Sequence, residues 1–343
     1  RLKGSRWRRC RFPFFFISMW IFCLSRHKNR ASLVKVCIVA NTALILFSEQ
    51  LREIFYIFRM RIRAGFMHLT FYFLRVSLET VSMTVRRAGR ASGGVWMEQS
   101  KRLMSGVHFM QGNYAAVEGA IAAGCDFFAG YPITPANEVS EGMARRLPAV
   151  GGVFFQGEDE LCSIYATTSA SLAGAKAMTA TASAGYDYMM EGLEYAVAVE
   201  APMVVVDVMR CRGENFATQS DIMQVRWGAA GDHEMIVLAP STVQETFDFT
   251  VRAFNLAEEY RTPVVVISEM SLALMRERLE IPVEVEVVNR RRTEKSPEEY
   301  RPFEARGEWG VPDFAELGTG YRSIYSINPH DERGDIEWSP SAF

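Results

Sequence analysis

The chain has 343 residues, 49% of them apolar and 23% charged, with a formal net charge of −2. This composition excludes a low-complexity, collagen-like or intrinsically disordered polymer and leaves room for two domains with real cores. The 6 cysteines include no CxxC pair, so their spacing excludes a disulfide framework and a self-contained zinc or iron–sulfur site, and a reduced, cytoplasmic protein is expected.

The near-neutral total hides two unlike parts. Residues 1–102 carry 20 Lys and Arg against 4 Glu and no Asp, a net of +16, so the remainder carries −18. The apolar runs of this arm, Phe12 to Leu24 and Val36 to Phe47, are shorter than the roughly 20 residues a spanning helix needs. A membrane-surface or targeting arm would fit the Arg-rich, acid-poor composition, but Phe14, Phe15, Phe16, Trp20 and Phe22 are bulky for a presequence. A nucleic-acid arm would set the charge on phosphates and the aromatics on bases, but no recognisable binding module is there. The favoured expectation is that residues 1–103 are upstream translation, with the true start at Met97 or Met104. Neither a membrane nor a nucleic acid is then a partner.

From Val107 onward helical stretches alternate with short β-rich runs, which predicts an α/β fold with a parallel sheet flanked by helices. In chain order, a helix over Asn113 to Ala123 precedes a strand at Phe127 to Ala129. A helix over Glu138 to Arg146 precedes a strand at Val153 to Gln156, and one over Glu160 to Ala173 precedes Ala177 to Ala182. The helix Asp187 to Glu200 leads to the strand Met203 to Val208. A strand at Met235 to Leu238, a helix over Val243 to Glu259 and a strand at Val264 to Ser268 follow. The last four strands are nearly unbroken apolar runs, as expected when both faces of a sheet are covered. Small residues from Ala166 to Ser171 would let their helix approach the sheet or a partner subunit closely. After about Arg278 the pattern loosens into IPVEVEVV and a charged Arg290, Arg291, Arg292 linker. The expected division is an arm over 1–103, a domain over 104–278, and a linker with the start of a truncated second α/β domain over 279–343.

Two polar segments lie where an apolar strand hands over to a helix: Gly130 to Pro135, GYPITP, and Gln156 to Glu160, QGEDE. Open parallel sheets bind ligands at such carboxyl ends. With GAKAMTAT from Gly174 to Thr181 and MQVRWGAAGDHE from Met223 to Glu234, these motifs resemble the alpha chain of the 2-oxoacid:ferredoxin oxidoreductases, most closely the 2-oxoglutarate type. The resemblance runs from Phe109 to about Arg278, and HDERGD, His330 to Asp335, lies close to a further family signature. It implies the pyrimidine-binding domain of a thiamine diphosphate enzyme.

That cofactor needs a carboxylate beside N1′ of its aminopyrimidine, and family position puts Glu160 there. A helix-dipole role is the alternative for Glu160 and the preferred reading of Glu158 and Asp159. The resemblance makes Thr134 a hydrogen-bond donor to the 2-oxoacid, on a loop stiffened by Pro132 and Pro135; an ordinary helix cap is its alternative. Arg210 resembles the arginine that grips the substrate carboxylate, with Arg212 as competitor. Tyr131, Pro132, Ile133, Thr181 and Ser183 are implied cofactor contacts, although small buried hydroxyls bonded to backbone are common. His233 reads as structural. Where related chains read GPSTG, this one has Gly213, Glu214, Asn215, Phe216, Ala217 and Thr218, a departure that leaves the choice of 2-oxoacid open.

The sequence contains no GDG run, the usual start of the site for the cofactor's divalent cation. The resemblance therefore implies a beta subunit holding the diphosphate and Mg2+, iron–sulfur clusters in partner chains, possible gamma and ferredoxin-like delta subunits, and an active site at a subunit interface. The implied reaction converts a 2-oxoacid, 2-oxoglutarate favoured, and coenzyme A into acyl-CoA and carbon dioxide while reducing ferredoxin. Alternatives are a non-redox decarboxylase or transketolase-like subunit, and a non-catalytic fragment whose basic arm is the working part.

Overall fold

The computed structural model describes residues 103–211, 216–229, 233–323, 325, 327, 328 and 330–337. The basic arm over residues 1–102, Arg212, and Gly213, Glu214 and Asn215 of the loop expected to select the substrate lie outside the described residues.

Eight strands and seven helices run in chain order through the described residues. They are β1 (Gly106–Gln111), α1 (Gly112–Ala122), β2 (Phe127–Gly130), α2 (Asn137–Ala149), β3 (Val153–Gln156), α3 (Glu160–Leu172), β4 (Ala177–Thr181) and α4 (Ser183–Ala198). Then come β5 (Met203–Met209), α5 (Asp221–Trp227), β6 (Ile236–Leu238), α6 (Val243–Tyr260), β7 (Pro263–Glu269), α7 (Met270–Leu274) and β8 (Arg276–Ile281). Six strands form a parallel sheet in the order β3-β2-β4-β5-β7-β6. After β2 the chain steps outward to β3, then crosses back beyond β2 to β4. The crevice between the ends of β2 and β4 is thus a topological switch point, where such sheets bind ligands.

Burial explains the apolar runs. All of β4 and β5 and most of β7 are buried, because helices cover both faces. On one face Val204, Val206, Val264 and Val266 pack with Val117 and Ile121 of α1, Val139 and Met143 of α2, and Phe247 and Phe254 of α6. On the other, Met203, Val205 and Val265 pack with Ile164 of α3 and Tyr186, Met189 and Leu193 of α4. Glycines set two close helix contacts. A Cβ on Gly119 would stand 2.6 Å from the Phe247 carbonyl oxygen, and one on Gly192 would stand 2.4 Å from Ile164 Cγ2.

The structure departs from the sequence expectations at several points. β1 and β8 pair antiparallel in a separate two-stranded sheet, Gly106 against Ile281 through Gln111 against Arg276. The regular pattern therefore continues past Arg278. α4 starts at Ser183 rather than Asp187, and the short helices α5 and α7 were not expected. The Arg290 to Arg292 run is not simply a charged linker. Arg290 is buried, ion-paired to Glu258, and donates to the carbonyls of Ser171 (2.8 Å) and Ala175 (2.9 Å). Lys176 Nζ donates to the Val288 carbonyl at 2.6 Å, and burial lowers the pKa of this amine. Arg261 donates to the carbonyls of Pro302, Pro312 and Asp313, and both Arg261 and Arg290 lie over the Phe314 ring. The segment after β8 is thereby fastened to the amino-terminal edge of the sheet, away from the switch point.

Candidate active site

β2 ends at Gly130, and the GYPITP loop leaves from there. Asn113 of α1 holds this loop, donating to the Pro135 carbonyl at 2.7 Å and to Glu138 at 3.1 Å. The Ala136 amide donates to the Ile133 carbonyl at 2.8 Å, and Asn137 donates to Thr134 Oγ1 at 3.2 Å. Ala136, not Thr134, occupies the cap position of α2 and makes no side-chain capping bond. Tyr131, Pro132 and Thr134 are exposed, while Ile133 is partly buried against the core. A loop tied down at its ends and open at its middle presents those groups outward.

The neighbouring loop is tied to the first, since the Gly157 amide donates to the Gly130 carbonyl at 3.0 Å. Asp159 caps α3, its carboxylate accepting from the Cys162 amide at 2.7 Å, which gives it the structural role expected of it. Glu160, the first residue of α3, is buried. Burial is the main reason that its carboxyl is shifted upward; its own backbone amide pulls the other way and Asp159 adds to the rise. A Cβ on Gly185 would lie 2.7 Å from Glu160 Oε1 and 2.1 Å from Thr181 Oγ1, so carboxyl and hydroxyl converge on one glycine of α4. Thr179 and Thr181 are fully buried, and their hydroxyls have no hydrogen-bond partner among the described residues.

Arg210 follows β5. The Ser183 hydroxyl accepts from the Arg210 amide at 2.9 Å, lies 2.7 Å from the Arg210 carbonyl, and donates to Asp221 in a short bond. The Cys211 amide donates to the Phe216 carbonyl at 2.8 Å and closes the base of the loop that follows β5. The structure thus brings Glu160 and Thr181 together, and Ser183 and Arg210 together, along the carboxyl edge of the sheet. Tyr131 through Thr134 stand on the loop leaving β2.

Sequence reading missed Asp207 and Asp221. Asp207 is fully buried in β5 opposite Thr181 of β4, and Asp221 opens α5 beneath the Arg210 turn. The available signal for Asp207 was a lone charge inside the apolar run MVVVDVM, a place that penalises charge.

A parallel sheet whose switch point carries a buried carboxyl at a helix start, beside a proline-braced loop, suits a thiamine diphosphate-binding pyrimidine domain. Residues 118–328 match the family described as pyruvate flavodoxin/ferredoxin oxidoreductase, thiamine diphosphate-binding, and the chain belongs to that family. It is 50% identical over 235 residues to the 2-oxoglutarate synthase subunit KorA of Methanothermobacter thermautotrophicus, covering 67% of this chain and 62% of that protein. Identity to the KorA subunit of Methanocaldococcus jannaschii is 47% over 239 residues, covering 68% of this chain and 64% of the relative. Among solved structures, the 2-oxoglutarate:ferredoxin oxidoreductase from Magnetococcus marinus, with 2-oxoglutarate, coenzyme A and succinyl-CoA bound, aligns with a TM-score of 0.65 and 36% identity. That match covers 69% of this chain and 42% of the solved one. The chain therefore spans less than two thirds of the length of these relatives.

Proposed function

We propose that this chain supplies the pyrimidine-binding half of the cofactor site in a 2-oxoacid:ferredoxin oxidoreductase, with 2-oxoglutarate as the favoured substrate. The reaction would convert the 2-oxoacid and coenzyme A into acyl-CoA and carbon dioxide, its electrons passing singly to ferredoxin. The observation that carries this reading is the buried Glu160 carboxyl packed against the bare Gly185 beside the unpartnered Thr181 hydroxyl, polar groups of the kind an aminopyrimidine edge can hydrogen-bond. Thiamine diphosphate, when bound, supplies the nucleophilic carbon and the electron sink that decarboxylation of a 2-oxoacid requires.

Within this reading Glu160 is the carboxyl that activates the cofactor, and the unpartnered Thr181 hydroxyl is available to it. Tyr131, Pro132 and Ile133 would border it, with Ser183 at its margin. Thr134 and Arg210 would orient the substrate, the exposed hydroxyl as donor and the guanidinium through paired hydrogen bonds to a carboxylate.

A beta subunit would carry the diphosphate and Mg2+, and iron–sulfur clusters would reside in partner chains, with gamma and delta subunits as further members. Exposed apolar side chains near the site support a covering partner: Phe216, Ile222, Met223 and Trp227 are 65%, 47%, 64% and 66% exposed. Among the described residues no helix is long and apolar enough to cross a membrane, and a cytoplasmic location is our reading.

The test is Glu160→Gln in the assembled complex, followed by 2-oxoacid-driven reduction of a viologen dye. Loss of turnover with assembly intact supports the assignment, and near-normal turnover removes it.

A further inference from the structure

We propose that Ser183 and Asp221 are positioning residues that clamp the Arg210 turn at the mouth of the site, with Asp207 as the buried floor of the clamp. The inference rests on the proposed function only for what Arg210 grips. The clamp itself is a matter of geometry.

Three separate elements meet at one hydroxyl. Ser183 opens α4, Arg210 leaves β5 and Asp221 opens α5, and Ser183 Oγ contacts all three partners named above. A serine hydroxyl has one proton to donate. That proton is directed between the Asp221 carboxyl and the Arg210 carbonyl, and a lone pair of Ser183 accepts from the Arg210 amide. Asp221 is itself buried, and Ser220 Oγ donates to its other oxygen at 2.9 Å. Holding this arrangement costs the backbone something, because Ser183 has φ 22°, on the left-handed side that side chains avoid. A glycine would fit the backbone better, so the hydroxyl accounts for the serine.

Asp207 lies beneath this junction. Neither of its carboxyl oxygens has a hydrogen bond of ordinary geometry among the described residues. The groups around it are Asp221 from α5, Tyr186 and Ser183 from α4 and Thr181 from β4. Burial drives its pKa well up, and the like charge and side-chain hydrogen bonding of Asp221 add to the rise. Tyr186, buried beside both carboxyls, is also shifted up and stays neutral. Asp207 is thus the carboxyl that resists ionisation, and the Asp221 carboxyl accepts from Ser183.

Ser183→Gly and Asp221→Ala test the clamp in the assembled complex, with Asp221→Asn as the conservative variant that retains an acceptor oxygen. Hydrogen exchange of the Arg210 amide and its neighbours should accelerate about tenfold in the first two, the loss of roughly one hydrogen bond, while β5 amides keep their protection. Substrate KM should rise by a similar factor with a smaller fall in kcat, and Asp221→Asn should restore part of both. Because Ser183→Gly relaxes the backbone while deleting the hydroxyl, it separates the clamp from a folding defect. Unchanged exchange in both variants overturns the proposal. Faster exchange with an unmoved substrate KM upholds the clamp and instead removes Arg210 from the substrate-binding role.

Discussion

Gly185 faces Glu160 without a side chain between them, and a Cβ there would lie 2.7 Å from Glu160 Oε1 and 2.1 Å from Thr181 Oγ1. The gap is enforced from two elements, since Thr181 ends β4 and Gly185 sits in the first turn of α4. Gly185→Ala must therefore push the carboxyl or the hydroxyl aside. Because about 1 Å of misplacement can cost on the order of a hundredfold in rate, that loss is expected in viologen reduction by the assembled complex. Near-normal activity would show that the carboxyl can move at no cost.

The Arg290–Glu258 pair is buried at both ends and also satisfies the Ser171 and Ala175 carbonyls. Arg290→Ala takes the guanidinium from the buried Glu258, leaving it only the residue-290 amide and the electrostatic influence of Lys176, and a loss of about 3 kcal/mol in unfolding free energy is expected. Replacing both, Arg290→Met with Glu258→Leu, should cost less than the single change. Urea titration of the variants checks this, and a double variant as unstable as the single one would count against the pair.

Asp207 gives stability a pH dependence of definite sign. Its folded pKa lies well above the ordinary aspartate value because the carboxyl is buried, so the folded state keeps a proton that the unfolded chain has released. The contribution is complete below about pH 3.9 and is lost as pH rises through the raised folded value. Asp207→Asn cannot ionise, so its melting temperature should gain on the parent progressively with pH. A constant offset between the two melting curves from about pH 4 upward would refute a raised folded pKa at Asp207.

The loop after Arg210 reads GENFAT where the family resemblance leads one to expect GPSTG, and it includes the exposed Phe216. Replacing Gly213 to Thr218 with the commoner loop should change the ratio of kcat/KM among pyruvate, branched-chain 2-oxoacids and 2-oxoglutarate. If the ratios do not move, substrate selection lies elsewhere.

Much of the sheet could be read from one dimension. Runs such as VVVDV in β5 and VVVIS in β7 are apolar because both their faces are covered, and the observed strands agree with the predicted ones to within a residue or two. β1 and β8 were not legible. Their residues are mostly exposed or half-exposed, so no buried apolar run marks them, and their pairing joins segments far apart in sequence. Arg290 was misread for a similar reason, because a charged triplet looks solvated until its buried partner Glu258, far away in sequence, is known.

The same division runs through the candidate site. Local chemistry determined the parallel α/β class and the two strand-to-helix turns, since each depends on residues within a few positions of one another, while Glu160 was singled out by the family resemblance those turns carry. Tertiary structure alone decided that Gly185 leaves room at Glu160 and that Asp207 and Asp221 share a buried pocket. It also decided that the Ser183 hydroxyl joins three elements at Arg210. Such relationships depend on which strand ends the sheet order brings side by side, and on burial, which turns an ordinary aspartate into a group reluctant to ionise.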